Sequence, residues 1–202
     1  MNLPNKISLT RICLIPVFVA VFFLDGVLPF NYGIAAIIFA VAALTDFVDG
    51  KIARKYNLVT NLGKFLDPIA DKVLISIAMV LLLTLKGGFY GWMNVSATFL
   101  YVTTAVCVCV IMARELIISA FRQIAAVSGL VMAADKLGKY KAACQDVAVF
   151  FLILATDIFV ASVGVGRVIA WIGFALFAIA TVLTIISGIS YVVKNKHVLK
   201  EN

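Results

Sequence analysis

The sequence predicts an all-α integral membrane protein, a bundle of six transmembrane helices with both termini on the cytoplasmic side. Three observations predict it. Of the 202 residues, 64% are hydrophobic and 13% charged, against about half and about a quarter in a soluble domain. The apolar residues come in runs, and about 20 helical residues cross a bilayer core of about 30 Å. Lys and Arg gather at alternate ends of those runs. The whole of 1–202 is expected to be one membrane-embedded domain.

The elements follow in order. The run 8–24, with Lys6 before it and Arg11 near its start, begins in the manner of a signal peptide, but no small-x-small cleavage site follows it, so it is read as the first helix. Met1 to Lys6 is expected along the interface as a short amphipathic piece. Asp25-Gly26 and Pro29 to Gly33 break the chain before the second helix, 32–56. A short turn near Tyr56 to Thr60, with Thr60 or Asn61 as N-cap, leads into the third, 60–85. Gly87-Gly88 through Asn94 separates it from the fourth, 95–125. The fifth spans 137–160, and Gly164 and Gly166 mark the break before the sixth, 166–193. Trp92 and Trp171, with Tyr90 and Tyr101, fit an interfacial aromatic belt.

Orientation comes from the cations. Fifteen Lys and Arg fall on one side, at the N-terminus, the second and fourth connections and the tail, against Lys86 and Arg167 on the other. Positive residues stay cytoplasmic, which puts both ends inside and requires an even number of spans. A net charge of +7 placed this way points to an anionic lipid surface and not to nucleic acid. Cys13, Cys107, Cys109 and Cys144 lie in apolar stretches without zinc-ligand spacing or a disulfide framework, and are read as packing thiols. His197, the one histidine, sits in the charged tail, which removes mechanisms that need a buried imidazole.

Four acids stand where apolar residues would be expected: Asp46, Asp49, Asp67 and Asp71. A carboxylate at membrane depth is costly unless paired, hydrated or metal-bound. Asp46 and Asp49 are i, i+3 on the second helix, and Asp67 and Asp71 are i, i+4 on the third, so each pair shares a face. Counted from the turn, the inner and outer pairs lie at matched depths of roughly 10 and 16 Å at 1.5 Å per residue. All four can converge. Carboxylates at close quarters repel, and two divalent cations would cancel them; an all-oxygen set suits Mg²⁺ or Mn²⁺. Two such ions can grip a phosphate and activate an attacking oxygen. Salt bridges to Lys51, Arg54, Lys64 and Lys72 are the plainer alternative. Gly50, Ala53 and Gly63 leave room beside the acids for a nucleotide or a neighbouring backbone. Arg54 is suited to bidentate pairing with a diphosphate or to setting topology.

Written out, the segment is Asp46-x2-Asp49-Gly50-x2-Ala53-Arg54-x8-Gly63-x3-Asp67-x3-Asp71. It resembles the signature of the CDP-alcohol phosphotransferases, with every position filled. The resemblance implies a six-helix membrane bundle that forms a homodimer, in which an alcohol attacks a CDP-linked lipid and CMP leaves. It implies that Asp46, Asp49, Asp67 and Asp71 hold two ions of Mg²⁺ or Mn²⁺, that Asp71, with Asp67, is catalytic and takes the alcohol's proton, and that Asp46, Asp49, Gly50, Ala53, Arg54 and Gly63 bind CDP. The likeness extends over nearly the whole chain, through Asn2-Leu3-Pro4-Asn5-Lys6, Arg11, Pro16, Leu58 to Asn61, Ala113-Arg114-Glu115 and Gly138-Lys139-x-Lys141, to members that pair CDP-diacylglycerol with sn-glycerol 3-phosphate in the bacterial cytoplasmic membrane. Ser8 stands where threonine is common, and Ala142 where threonine usually follows the lysines.

A phosphorylated acceptor needs fixed positive charge. Arg114, Arg122, Lys139 and Lys141 are available for it, although each singly also fits positive-inside topology. Arg114 and Arg122 are 8 apart, about 80° around a helix, so both can face one pocket. Gln145 suits either the acceptor or a helix–helix hydrogen bond. Glu115 is expected to pair with a cation, the sequence alone names no partner for Asp146, and Asp25, Asp135, Asp157 and Glu201 are expected to cap helices or face water. Two other readings remain: the same donor with a different acceptor (a cardiolipin or phosphatidylinositol phosphate synthesis), and a divalent-cation transporter with carboxylates along its path.

Overall fold

The computed structural model describes the chain at residues 3–55, 61–85, 89–127 and 136–195, and its side chains at 8–45, 69–85, 89–125 and 137–195. Six α-helices appear in chain order: α1 (Leu3–Phe22), α2 (Asn31–Lys55), α3 (Asn61–Thr84), α4 (Ala97–Val127), α5 (Lys136–Ala161) and α6 (Val163–Lys194). A 3-10 turn, Tyr90–Trp92, lies between α3 and α4. The expected turn at Tyr56 to Thr60, the glycines 87 and 88, Asp135, His197 and Glu201 fall outside the described residues, and so do the side chains of Met1 to Lys6 and of Asn61.

Among the described residues, α4, α5 and α6 contain stretches long and apolar enough to cross a membrane, and Ser8–Phe22 and Asn31–Thr45 are shorter apolar helices. The apolar part of α2 stops at Thr45 because the acidic segment begins at the next residue. Large apolar side chains point outward along the helices, among them Leu44, Phe99, Leu116, Val160, Val182 and Ile189. So much apolar surface is at odds with water and matches lipid.

The bundle packs on small residues and aromatic rings. Ala35, Ala36, Ala42, Ala148, Ala155 and Ala170 are buried, which lets helix backbones approach where hydrophobicity offers no drive to associate. Phe18 of α1 meets Phe39 of α2 with ring centroids 5.9 Å apart, and Phe22 meets Tyr32 edge-on at 5.1 Å. The α1–α2 connection turns through Gly26 at φ +76°, a region only glycine enters freely. Asn31 then donates to the carbonyl of Phe22 at 2.9 Å, satisfying an acceptor left over at the end of α1. Ser96 caps α4, its Oγ accepting the N–H of Phe99 at 3.4 Å.

Two expectations need correction. Gly164 and Gly166 do not separate the last two helices; the chain turns at Ser162 alone, in an extended conformation, and both glycines lie in the first turn of α6. Gly166 is small for another reason. A Cβ there would come within 2.7 Å of the Phe159 nitrogen, so glycine allows α6 to fold back directly onto α5. Tyr90 is not an interfacial residue: it is 2% exposed, packs against Phe89, Tyr101 and Phe174, and its hydroxyl donates to the carbonyl of Leu82 at 3.1 Å. Burial pushes its phenol up to about 12. Trp92 and Trp171 remain exposed.

Candidate functional site

The acidic segment is carried by two helices that touch. Positions 46, 49, 50, 53 and 54 are helical in α2, and 63, 67 and 71 in α3; α2 packs against α3, and α1 packs against both. The spacings i, i+3 and i, i+4 are therefore realised on α-helix, where they define one face. The side chains of Asp46, Asp49, Gly50, Ala53, Arg54, Gly63 and Asp67 lie outside the described residues. Asp71 is described and is exposed. Among the described residues no group of three or more His, Cys, Asp or Glu gathers, since only one of the four acids is included. As a donor set the four fit a hard cation: all are oxygen ligands, divided evenly between two adjacent helices.

The cations expected at the acceptor are resolved in more detail. Glu115 on α4 lies between two of them, accepting from Arg114 Nη1 at 2.9 Å and from Lys141 Nζ on α5. Glu115 thus has its cation, in fact two from different helices. Arg114 Nη2 also donates to Ser187 Oγ on α6 at 2.9 Å. One turn along α6, Tyr191 receives Arg122: its Oη accepts from Nε at 3.2 Å, and the guanidinium carbon stands 5.4 Å from the ring centroid, a cation–π contact. The two arginines accordingly lean on the same side of α6, at positions four apart. Lys141 is buried, whereas Lys139 is exposed, so the two lysines of the Gly138-Lys139-x-Lys141 run occupy different surroundings.

Around this cluster the polar layer continues inward. Lys72 of α3 donates to Ser119 of α4, and Gln145, one turn beyond Lys141, is buried with its Nε2 against Met79 Sδ at 3.4 Å. Gln145 therefore makes a helix–helix contact with its nitrogen. Its Oε1, together with Arg114 Nε, is buried without a hydrogen-bond partner. A buried polar atom left unmade is costly, and these two are an acceptor and a donor on different helices.

Two open grooves flank the layer. One of about 490 Å³ lies between α4 and α6, with Arg114 among Ala113, Ile118, Ile185, Gly188 and Val192. The other, of about 470 Å³, lies between α2 and α5, with Asp146 beside Ala43, Leu44 and Phe150. Asp157, at the far end of α5, caps a different helix from its own: its Oδ2 accepts the N–H of Gly33 in the first turn of α2 at 2.5 Å.

The sequence reading missed Arg11 as anything but a topology residue. The structure buries it completely and sets its Nε 3.3 Å from Thr45 Oγ1. Ser187 and Tyr191 were also missed. The signal for them was present, polar residues at i, i+4 on one face of a largely apolar helix.

Known proteins resemble the chain along nearly all of its length. A family model described as CDP-alcohol phosphatidyltransferase matches residues 1–186. The chain is 38% identical to a Bacillus subtilis (strain 168) protein over 98% of its own length and 97% of that protein's. It is 39% identical to proteins of Salmonella typhimurium and Escherichia coli (strain K12), over 94% of this chain and 92% of each of theirs. All three relatives are named CDP-diacylglycerol--glycerol-3-phosphate 3-phosphatidyltransferase.

Proposed function

The chain belongs to the CDP-alcohol phosphatidyltransferase family, and from that premise we propose that it transfers a phosphatidyl group from CDP-diacylglycerol to sn-glycerol 3-phosphate, forming phosphatidylglycerol phosphate and releasing CMP. One observation carries the reading: a complete eight-residue acidic signature on two packed helices, in a chain that matches relatives of this name along nearly all of its length.

Asp46, Asp49, Asp67 and Asp71 would hold the divalent ions, Mg²⁺ or Mn²⁺, two per site. Bound there, such ions offset charge growing on the bridging oxygen of the diphosphate. Gly50, Ala53, Arg54 and Gly63, with Asp46 and Asp49, form the CDP-binding stretch. Asp71 accepts the proton of the acceptor's free primary hydroxyl as its oxygen bonds to the diacylglycerol-bearing phosphorus; the bond from that phosphorus to CMP breaks. Arg114, Arg122, Lys139 and Lys141 hold the acceptor's phosphate. Arg114 Nε, buried and with no partner, supports this role, and Gln145 Oε1, also buried without a partner, is suited to a glycerol hydroxyl. With six spans, both termini and the site would face the cytoplasm at the bacterial cell membrane, and the protein would work as a homodimer.

The test uses purified protein, CDP-diacylglycerol, Mg²⁺ and a panel of alcohols, with CMP measured. CMP should appear with sn-glycerol 3-phosphate. Release only with phosphatidylglycerol or inositol phosphate moves the enzyme to another acceptor, and none with any alcohol refutes the reading.

A further inference from the structure

Arginine at the cytoplasmic end of a membrane helix usually extends its head to water and leaves only its stem in the apolar layer. Arg11 does the opposite. It lies eight residues into α1, about 12 Å along the helix, and is 0% exposed, as the largest of the fully buried side chains. A guanidinium is not taken out of water for topology alone, since a charge at this depth is retained where something answers it.

Its surroundings show what that is. Nε donates to Thr45 Oγ1 at 3.3 Å, and Thr45 in turn donates to the carbonyl of Ala42 at 2.6 Å, which fixes the hydroxyl's lone pair toward α1. Thr45 is the last residue before the acidic segment, and Asp49 follows it by four positions, the spacing of one face of α2. The helix that carries Arg11 packs against α2 and α3, the two that carry the acids. Arg11 is the one charged side chain of α1 among the side chains described, Lys6 lying outside them.

We propose that Arg11 is a positioning residue for the acidic hairpin: a fixed positive charge, held in place through Thr45, that offsets the carboxylates of α2 and α3 from inside the bundle. The inference rests on the reading of the four aspartates as a cation site. A permanent cation there offsets the mutual repulsion of the acids, and it weakens their affinity for added divalent ions. An arginine suits the task better than a lysine because its charge cannot be lost and its planar fork spreads over several acceptors.

The test is Mn²⁺ binding to the purified full chain without substrate, followed by the electron paramagnetic resonance of free Mn²⁺, with the melting temperature read with and without the ion. Arg11→Gln should bind Mn²⁺ about tenfold more tightly, the effect of about 1.4 kcal/mol, and Mn²⁺ should raise its melting temperature more than it raises that of the parent. Arg11→Lys, which keeps the charge, should bind within about twofold of the parent. Should Arg11→Gln fail to fold, Thr45→Val keeps the charge and removes its anchor, and a change in Mn²⁺ affinity of about threefold or more is expected. Unchanged Mn²⁺ affinity in Arg11→Gln, or in Thr45→Val where only that variant folds, makes Arg11 a merely structural buried side chain and overturns the proposal. A parent protein that binds no Mn²⁺ overturns the cation site itself, and this proposal with it.

Discussion

Replacing Glu115 by Gln strips the shared anion from two cations. At 2.9 Å from Arg114 Nη1, two unit charges in an effective dielectric of 20 attract by about 6 kcal/mol. Much of that repays desolvation, and removing one partner of a buried pair costs about 3–5 kcal/mol. Because the Glu115 side chain retains 26% exposure, the low end applies, about 3 kcal/mol, which is about 6–12 °C of melting temperature for a chain of this size. Lys141→Met alone leaves Glu115 on Arg114 and should cost less, about 1–2 kcal/mol. The informative variant is the double. With Glu115 already neutral, Lys141 is a buried cation with no anion, so adding Lys141→Met to Glu115→Gln should raise the melting temperature above that of Glu115→Gln alone. Thermal unfolding of the four proteins in one detergent measures this coupling directly. If the two losses simply add, Glu115 does not hold the two cations together and the account of this layer is wrong.

Three other outcomes are expected. Asp71→Asn should lower CMP release by about a hundredfold or more while thermal unfolding stays within about 1 kcal/mol of the parent, because Asp71 is exposed; full activity would remove the base assignment. Lys139→Glu should raise the KM for sn-glycerol 3-phosphate more than that for CDP-diacylglycerol, and the exposed Lys139 is the better site for charge reversal, since at Lys141 the new carboxylate would be buried against Glu115. Gly166→Ala should destabilise by about 1–3 kcal/mol, since its Cβ would lie 2.7 Å from the Phe159 backbone nitrogen; a melting temperature equal to the parent's would show that the α5–α6 turn can open at no cost.

Much of the molecule could be read from the chain alone because the relevant forces are local. Hydropathy over some twenty residues sets where a helix lies, and the helices begin and end within a few residues of expectation. Helical spacing puts Asp46 with Asp49 and Asp67 with Asp71, whatever packs around them. What stayed hidden was decided by residues far apart in the chain. Asp157 caps α2 from 124 residues away, Glu115 joins Arg114 to Lys141 across two helices, and Gly166, which looks like a chain breaker, serves instead as a contact surface for Phe159. The same limit applies to Arg11: as a letter in the sequence it is a cation near a membrane end, and only the packing of α1 against α2 takes it out of water and gives it Thr45 as a partner. Sequence determines which groups are charged and on which face of a helix they stand; the tertiary fold determines which of those charges lose their water, and it is that loss which makes a charge act on its neighbours.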